Sequence, residues 1–592
     1  MMKPGVIACR VFLCTHFSFP HIFLLVDVDP LKMLFLPDYC NRLNPAVLDR
    51  IILNNTAVHQ NLIFKIMAEK NKESRDENRS GESTQQGTDT GSTGFLRWIE
   101  DMGNKLPHPF WIFVWICGII IVVSAITAFF KVSAVHPDDG SLVEARNLVS
   151  GEGLRWFVQE VVTNFAHFAP FGLVLVMLMG VSIAERSGLL AVALRTIAFA
   201  VPRKVVLPVI FIIGACGNIG SDAGVVIVPP IAALIFTQMG LHPIAGLVAG
   251  YAGATAGFTA NFFIAGTDVL LAGISTEITS QMPGGMEVSP TANWYFMIAS
   301  TILLAFGGAF IARRYTIPRC QKFELIGNFD HEVTDGKLSP TERLGLRRAG
   351  ISLLIYIILI ALLVVPEGAP LRDQETGGLV PSPFLRGLIP ILFFFFAIPG
   401  YFYGKATGAI KQPNDILKQM EHGMKELSGY IVLMLIVAQF INLFSWSNLD
   451  TILAITGADF LQATGLTGPT MFVMYMILVA VLNIFLGSGS AKWAIFAPIF
   501  IPMLAQLNYS PAFVQLMYRV GDSITNCVTP LYVYFPLLLG WIHKYNKNIG
   551  IGTIVSLLIP YAIILFIMWL VLLFVWYVLN LPIGVGEFIF MQ

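Results

Sequence analysis

Long apolar runs separated by short polar breaks extend from residue 109 to residue 580. A helix that crosses a bilayer needs about 20 apolar residues. The runs at 109–130, 167–184, 187–211, 245–266, 293–312, 349–365, 386–403, 426–445, 469–486 and 552–580 predict such helices. Four further runs, 204–217, 222–238, 493–507 and 530–541, are shorter or interrupted by Gly and Pro. Short broken segments at matching places in two halves of a chain point to discontinuous helices near the bilayer midplane.

Those places do match. Gly220-Ser221-Asp222-Ala223 and Gly489-Ser490-Ala491-Lys492 each interrupt an apolar run, and Pro229 and Pro498 follow at the same offset. Sliding 213–266 over 482–534 with one gap sets Pro243 on Pro511, Gly253 on Gly521 and Thr255 on Ser523. The order in both halves is a hairpin, a hydrophilic tip near Gly240 or Asn508, a proline, and then a helix interrupted by polar residues. The predicted fold class is an all-α polytopic membrane protein, an inverted repeat with two re-entrant helical hairpins and about nine transmembrane helices. The repeat-like halves are about 150–313 and 424–580, with hairpins near 213–240 and 484–508.

The first hundred residues read differently. Residues 70–93 are polar, charged and free of aromatics, a composition that favours disorder. Residues 12–28 are apolar but carry His16, Pro20, His21 and Asp27, and lack a basic flank and a small-residue cleavage site. Residues 1–94 are therefore expected to be a poorly structured extension and polar tail, or to include a start placed upstream of the natural Met67. Residues 95–592 form the expected transporter domain.

Composition narrows the function classes. The chain is 55% hydrophobic and 12% charged, about half the charge of a soluble protein. Lys plus Arg and Asp plus Glu number 37 each, so no basic excess suggests nucleic acid. The seven Cys form no CxxC or Cys/His cluster, so neither a disulfide framework nor zinc is expected. No Walker loop, dinucleotide fingerprint or nucleophile elbow with a His partner occurs, so neither ATP-driven pumping nor an enzyme is expected. Basic loops at 313–348, 405–425 and 543–547 flank an acidic loop at 366–385. The positive-inside rule then places the N-terminus in the cytoplasm and the C-terminus outside.

Three constellations carry candidate chemistry. In Asn218-Ile219-Gly220-Ser221-Asp222-Ala223-Gly224, the glycines allow a turn with free backbone groups, and Asp222 is either a helix cap or a coupling carboxylate. An anionic Asp facing lipid costs about 3 kcal/mol, so it must be paired, ion-bound, protonated or wet. From Asn483 to Trp493, Ser488, Ser490 and nearby carbonyls resemble ligands for Na+, Lys492 suits an anion or a carboxylate, and Trp493 offers an aromatic surface or simple packing. In Tyr518 to Pro530, Arg519 and Asp522 are three apart on one helical face, an ion pair or a coupling site. Pro530 would break the helix after Asn526. Asn261 is the matching carbonyl-type ligand of the first half, and Asp268 is expected nearer the interface.

These motifs resemble the bacterial p-aminobenzoyl-glutamate transporter (AbgT) family, which includes sulfonamide efflux members. The resemblance runs from Gly103-Asn104-Lys105-Leu106-Pro107-His108-Pro109 to about residue 580. It rests on Glu152-Gly153-Leu154-Arg155-Trp156, Ala169-Pro170 with Gly172-Leu173-Val174, the two hairpin motifs, and Tyr518-Arg519 through Thr529-Pro530. It implies a homodimeric, ion-driven secondary transporter of the inner membrane, with a basin open to the cytoplasm. It also implies functional positions at Asp222, Asn483, Ser490, Trp493, Pro511, Arg519, Asp522 and Pro530, and Na+ as a coupling or structural ion near Asn483 and Asp522. The expected substrate is p-aminobenzoyl-glutamate, a sulfonamide, or both, bound between Trp493 and Arg519. Efflux and inward symport both fit these residues; a passive channel and a non-transporting scaffold are the rivals.

Overall fold

The computed structural model describes residues 10–12, 23–25, 109–135, 140–200, 202–203, 205–220, 223–282, 285–324, 338–379, 382–529, 532 and 534–591. The chain divides into units Met1–Asp89 and Thr90–Gln592. In the first unit, strands β1 (Arg10–Phe12) and β2 (Phe23–Leu25) pair antiparallel, with Arg10 opposite Leu25. The polar stretch 70–93 lies outside the described residues, as do Ser221, Asp222 and Pro530.

The second unit is helical apart from a small ladder of Ser133–Val135 with Leu142–Glu144. Its longer helices are α1 (Pro109–Phe129), α2 (Gly151–Ala166), α3 (Ala169–Arg186), α4 (Leu189–Ala200), α5 (Val206–Gly217), α6 (Ala223–Gln238), α7 (Pro243–Ala256), α8 (Gly266–Thr279) and α9 (Trp294–Ile311). They continue with α10 (Pro340–Val364), α11 (Leu388–Thr407), α12 (Pro413–Glu426), α13 (Ser428–Trp446), α14 (Leu449–Ala463) and α15 (Pro469–Phe485). The last four are α16 (Gly489–Ala505), α17 (Pro511–Ile524), α18 (Phe535–Tyr545) and α19 (Ile551–Leu579). Among the described residues, seven continuous helical segments are long and apolar enough to cross a membrane. The chain is an all-α polytopic membrane protein.

The repeat is visible element by element. Helices α3 to α9 have counterparts in α13 to α19, and α10 and α11 lie between the two sets. Helices α5 and α6 are the arms of the first hairpin, α15 and α16 those of the second. Each hairpin ends at a residue with positive φ, Gly240 or Asn508, three positions before a proline. That proline starts a helix of 14 residues whose every position is buried, α7 in one half and α17 in the other. Pro at the first helical position has no amide to leave unpaired. Ser510 caps α17 by accepting from the Phe513 amide at 3.2 Å, and His242 Nδ1 accepts from the Ile244 amide at 3.3 Å in α7.

Local breaks change several predicted boundaries. The run 187–211 is two helices, α4 and α5, separated at Pro202 and Arg203. The run 245–266 stops at Ala256, and 257–265 is unwound before α8. Unwound backbone is tolerable inside a membrane protein only where its polar groups find partners. Here Thr259 O accepts from Arg519, and Phe262 O accepts from Trp294 Nε1 at 2.9 Å. The basic loop 405–425 is largely the amphipathic helix α12. Helices α2, α8, α14 and α18 mix polar and apolar residues, and α2 runs on into α3 as one long helical segment, 151–186.

Candidate functional site

The two buried helices differ in kind. Helix α7 carries no charged side chain and is polar only at the Tyr251 and Thr255 hydroxyls, close to the apolar pattern of a fully buried helix. Helix α17 is buried to the same degree but carries Gln515, Arg519, Asp522 and Ser523. Each of these must find a partner inside the protein, because water cannot serve it there.

Arg519 turns toward α8 and the unwound segment. It pairs with Asp268 Oδ1 and donates to Thr259 O at 3.0 Å. Asp268, the third residue of α8, reaches back with Oδ2 to accept from the Ala265 amide at 2.6 Å. One carboxylate thus caps its own helix and holds an arginine from the other half. Gln515 continues the same stripe: its Oε1 lies 2.7 Å from Ser275 Oγ, and its Nε2 donates to Asn293 Oδ1 at 2.9 Å. Ser523 Oγ lies 2.7 Å from Thr259 Oγ1.

Asp522 turns toward the second hairpin. Its Oδ1 is 2.6 Å from Lys492 Nζ on α16, and both side chains are almost wholly buried. The same ammonium contacts Asn483 Oδ1 at the end of α15. Asn483 Nδ2 faces the other way, toward Asp522 O at 2.6 Å, Asn526 Oδ1 at 2.8 Å and Thr525 Oγ1 at 2.9 Å. That amide orientation is required: only its oxygen can face an ammonium, and only its nitrogen can serve those acceptors. The Tyr518 hydroxyl lies 3.3 Å from Asp522 Oδ1 and donates to Gly489 O at the hairpin break.

The expected Arg519–Asp522 pair is therefore replaced by two separate pairs. Residues three apart share a broad helical face, but here α8 and α16 flank that face and each supplies its own counter-charge. Asp268, expected nearer the interface, is buried and is Arg519's partner.

A cavity of about 310 Å³ opens beside the Asp522 carboxylate. The second hairpin contributes Gly487, Ser488, Gly489 and Ser490; α17 and its end contribute Tyr518, Asp522 and Asn526. The first half closes it with Phe258, Thr259, Thr267, Leu270 and Leu271, and Tyr532 and Tyr534 complete the wall. Ser488 caps α16 and lies 3.5 Å, oxygen to oxygen, from Ser490. This volume lies at the lower end of the range for small-molecule sites, and the lining mixes aromatic and hydrogen-bonding side chains.

Of the predicted residues, Ser488, Ser490, Asp522 and Asn526 meet at this cavity, while Asn483 and Lys492 stand behind Asp522. Trp493 and Arg519 do not line it. Trp493 is fully buried against Tyr518, with ring centroids 4.7 Å apart, and donates to Leu271 O at 3.1 Å. Packing claims the indole, and the aromatic faces toward the cavity belong to Tyr518, Phe258, Tyr532 and Tyr534. A substrate seated between Trp493 and Arg519 would displace core packing.

Pro511 starts α17, about 16 Å along the helix from Asp522 at 1.5 Å per residue. It lines a second cavity of about 380 Å³ with Ser510, Arg386 and Glu587. We place the site at the smaller cavity because the buried charges converge there. Asn218 is buried beside the first hairpin and donates to Ala254 O at 2.9 Å; Asn261 is buried in the unwound segment.

The two oxygens that the resemblance offers to Na+, Asn483 Oδ1 and Asp522 Oδ1, both touch the Lys492 ammonium. A cation from the chain already fills this donor set, which does not fit a free ion between them. Among the described residues no group of three His, Cys, Asp or Glu side chains could hold a metal.

Comparison with known proteins covers the same region. Residues 94–591 match the sequence profile of the AbgT putative transporter family. The chain is 41% identical over 489 residues to the p-aminobenzoyl-glutamate transport protein of Escherichia coli K12, covering 83% of this chain and 96% of that one. The crystal structure of the Alcanivorax borkumensis YdaH transporter superposes with a TM-score of 0.77 at 36% identity, covering 81% of this chain and all of that one. Neisseria gonorrhoeae MtrF, described as illuminating a class of antimetabolite efflux pumps, superposes with a TM-score of 0.79 at 37% identity. That match covers 83% of this chain and 100% of MtrF.

Proposed function

The chain belongs to the AbgT family of transporters, and we propose that it is a secondary active transporter exporting p-aminobenzoyl-glutamate, sulfonamide antimetabolites, or both. The observation that carries this reading is the paired Asp522 carboxylate at the edge of a cavity shared by the second hairpin and the first half. Ionisable groups inside a membrane protein mark substrate and ion pathways. Aromatic walls suit the aminobenzene ring common to both substrate classes, and Ser488, Ser490 and Asn526 supply hydrogen bonds to its polar substituents. A proton or Na+ gradient drives the cycle. The protein works as a homodimer in the bacterial inner membrane, with a cytoplasmic N-terminus and two re-entrant hairpins.

Inward symport of p-aminobenzoyl-glutamate is the second reading; the similarity to the E. coli p-aminobenzoyl-glutamate transport protein supports that substrate in either direction. Purified protein in proteoliposomes separates the two. Radiolabelled p-aminobenzoyl-glutamate and sulfamethazine are followed under Na+ and proton gradients of both signs. Uphill flux of either compound from the cytoplasmic face supports export, and uphill flux toward it supports symport. Flux that only follows the substrate gradient, with no response to either ion gradient, would mean a passive channel and end the proposal.

A further inference from the structure

The internal repeat supplies a control for the Lys492–Asp522 pair. The register that sets Gly220-Ser221 on Gly489-Ser490 sets Ala223 on Lys492. The register that sets Gly253 on Gly521 sets Ala254 on Asp522. One half of the protein therefore carries both charges, and the other carries alanine at both positions.

The two halves share one backbone contact near these positions, although α17 is the more polar helix and Asp222 precedes Ala223. Asn483 Nδ2 donates to the backbone carbonyl of Asp522, and Asn218 Nδ2 donates to that of Ala254. The asparagines sit at different distances from their hairpin tips but hold equivalent carbonyls on α17 and α7. Both of those helices begin with proline and are buried throughout their 14 residues. A hairpin docked against a buried helix thus forms with alanine at both of these positions. Burying an ion pair in this interior brings no stability beyond what apolar residues would bring. Folding alone does not explain its presence.

The position of the ammonium is the second observation. Lys492 Nζ sits between Asn483 Oδ1 and Asp522 Oδ1, two oxygens of the kind that bind a hard monovalent cation. We propose that Lys492 is the resident cation of the second hairpin: its ammonium takes the place of a free monovalent cation between Asn483 and Asp522, and the pair serves transport rather than folding. Lys492 acts through Asp522, whose carboxylate reaches the cavity while the ammonium stays behind it. It is a positioning residue. Its part in transport rests on the function proposed above; its place as resident cation does not.

The test compares the unmodified protein with K492A, D522A and the double variant K492A/D522A, which copies the Ala223 and Ala254 of the first half. Melting is measured in detergent in NaCl and in choline chloride of equal ionic strength, and substrate flux is measured in proteoliposomes. The unmodified protein is expected to melt alike in both salts. K492A leaves Asp522 uncompensated, so it should melt several degrees lower in choline and recover part of that loss in Na+. The double variant should recover part of the loss of the single variants, short of the unmodified protein because two alanines leave a cavity, while its flux stays at background. A Na+ shift in the unmodified protein as large as that in K492A would overturn the proposal. So would a double variant as unstable as the single ones, or one that transports normally. Absence of flux from the unmodified protein would count against the transport reading and leave the melting comparison intact.

Discussion

At the residue scale the interior is governed by two ion pairs, Arg519–Asp268 and Lys492–Asp522, whose four side chains are nearly or wholly buried. Breaking a buried pair by removing one partner costs about 3–5 kcal/mol, because the remaining charge has nowhere to go. D268N should therefore be strongly destabilising, with reduced yield and melting temperature, since Arg519 keeps its charge with only neutral partners such as Thr259 O. The double variant D268N/R519Q should recover more than half of that loss in a double-mutant cycle. An additive double variant would show that the pair contributes nothing as a pair. The acidic and basic residues were legible as unusual in apolar sequence. Their partners were not, because Arg519 finds Asp268 across 251 positions of chain, and no local spacing rule reaches that far.

At the element scale, the first hairpin closes because glycine lets its two arms touch. A Cβ on Gly217 would lie 2.6 Å from the Gly224 Cα across the first hairpin, closer than any real side chain tolerates. G217A should spread the arms and cost about 1–3 kcal/mol, as overpacking does. Gly118 in α1 is the control: an added Cβ there meets nothing within 4 Å. G118A should be neutral or stabilising by up to about 1 kcal/mol, since alanine is the better helix former. Melting of the two variants side by side checks this, and equal destabilisation would refute the contact argument. The prolines and tips of the repeat, and the presence of a helix after each, were legible because they recur in order. The division of 187–211 and the stop after Ala256 were less so, since apolar composition continues through both breaks.

At the scale of the whole molecule, a C-terminal strap joins the two halves. Ser510 Oγ donates to Phe588 O at 2.5 Å, and the Ser510 amide donates to Ile589 O at 2.8 Å at the start of α17. The Phe296 amide of α9 donates to Ile583 O at 3.2 Å. Glu587 lies within this strap, beyond the last helix, and burial pushes its carboxyl up to about 7. A carboxyl with a raised folded-state pKa is best accommodated when neutral, so its contribution is complete at acidic pH and fades as pH rises through about 7. Hydrogen exchange of residues 583–591, corrected for intrinsic rates, should quicken as pH rises from about 4.5 to about 7 and level off above it in the unmodified protein, with no such rise in E587Q. Equal pH dependence in both would remove Glu587 as the cause.

Hydropathy and self-similarity along the chain were enough to establish a helical membrane protein built from two related halves, with broken segments at matching places. Those properties are local: a bilayer selects apolar length, and duplication copies turns and prolines in sequence order. The pairing of Asp522 with Lys492, the enclosure of Trp493 and the separation of Pro511 from the cavity depended on tertiary structure. Each follows from how α8, α15 and α16 pack around α17, and the rotation of a buried helix among its neighbours is settled by all of its contacts together.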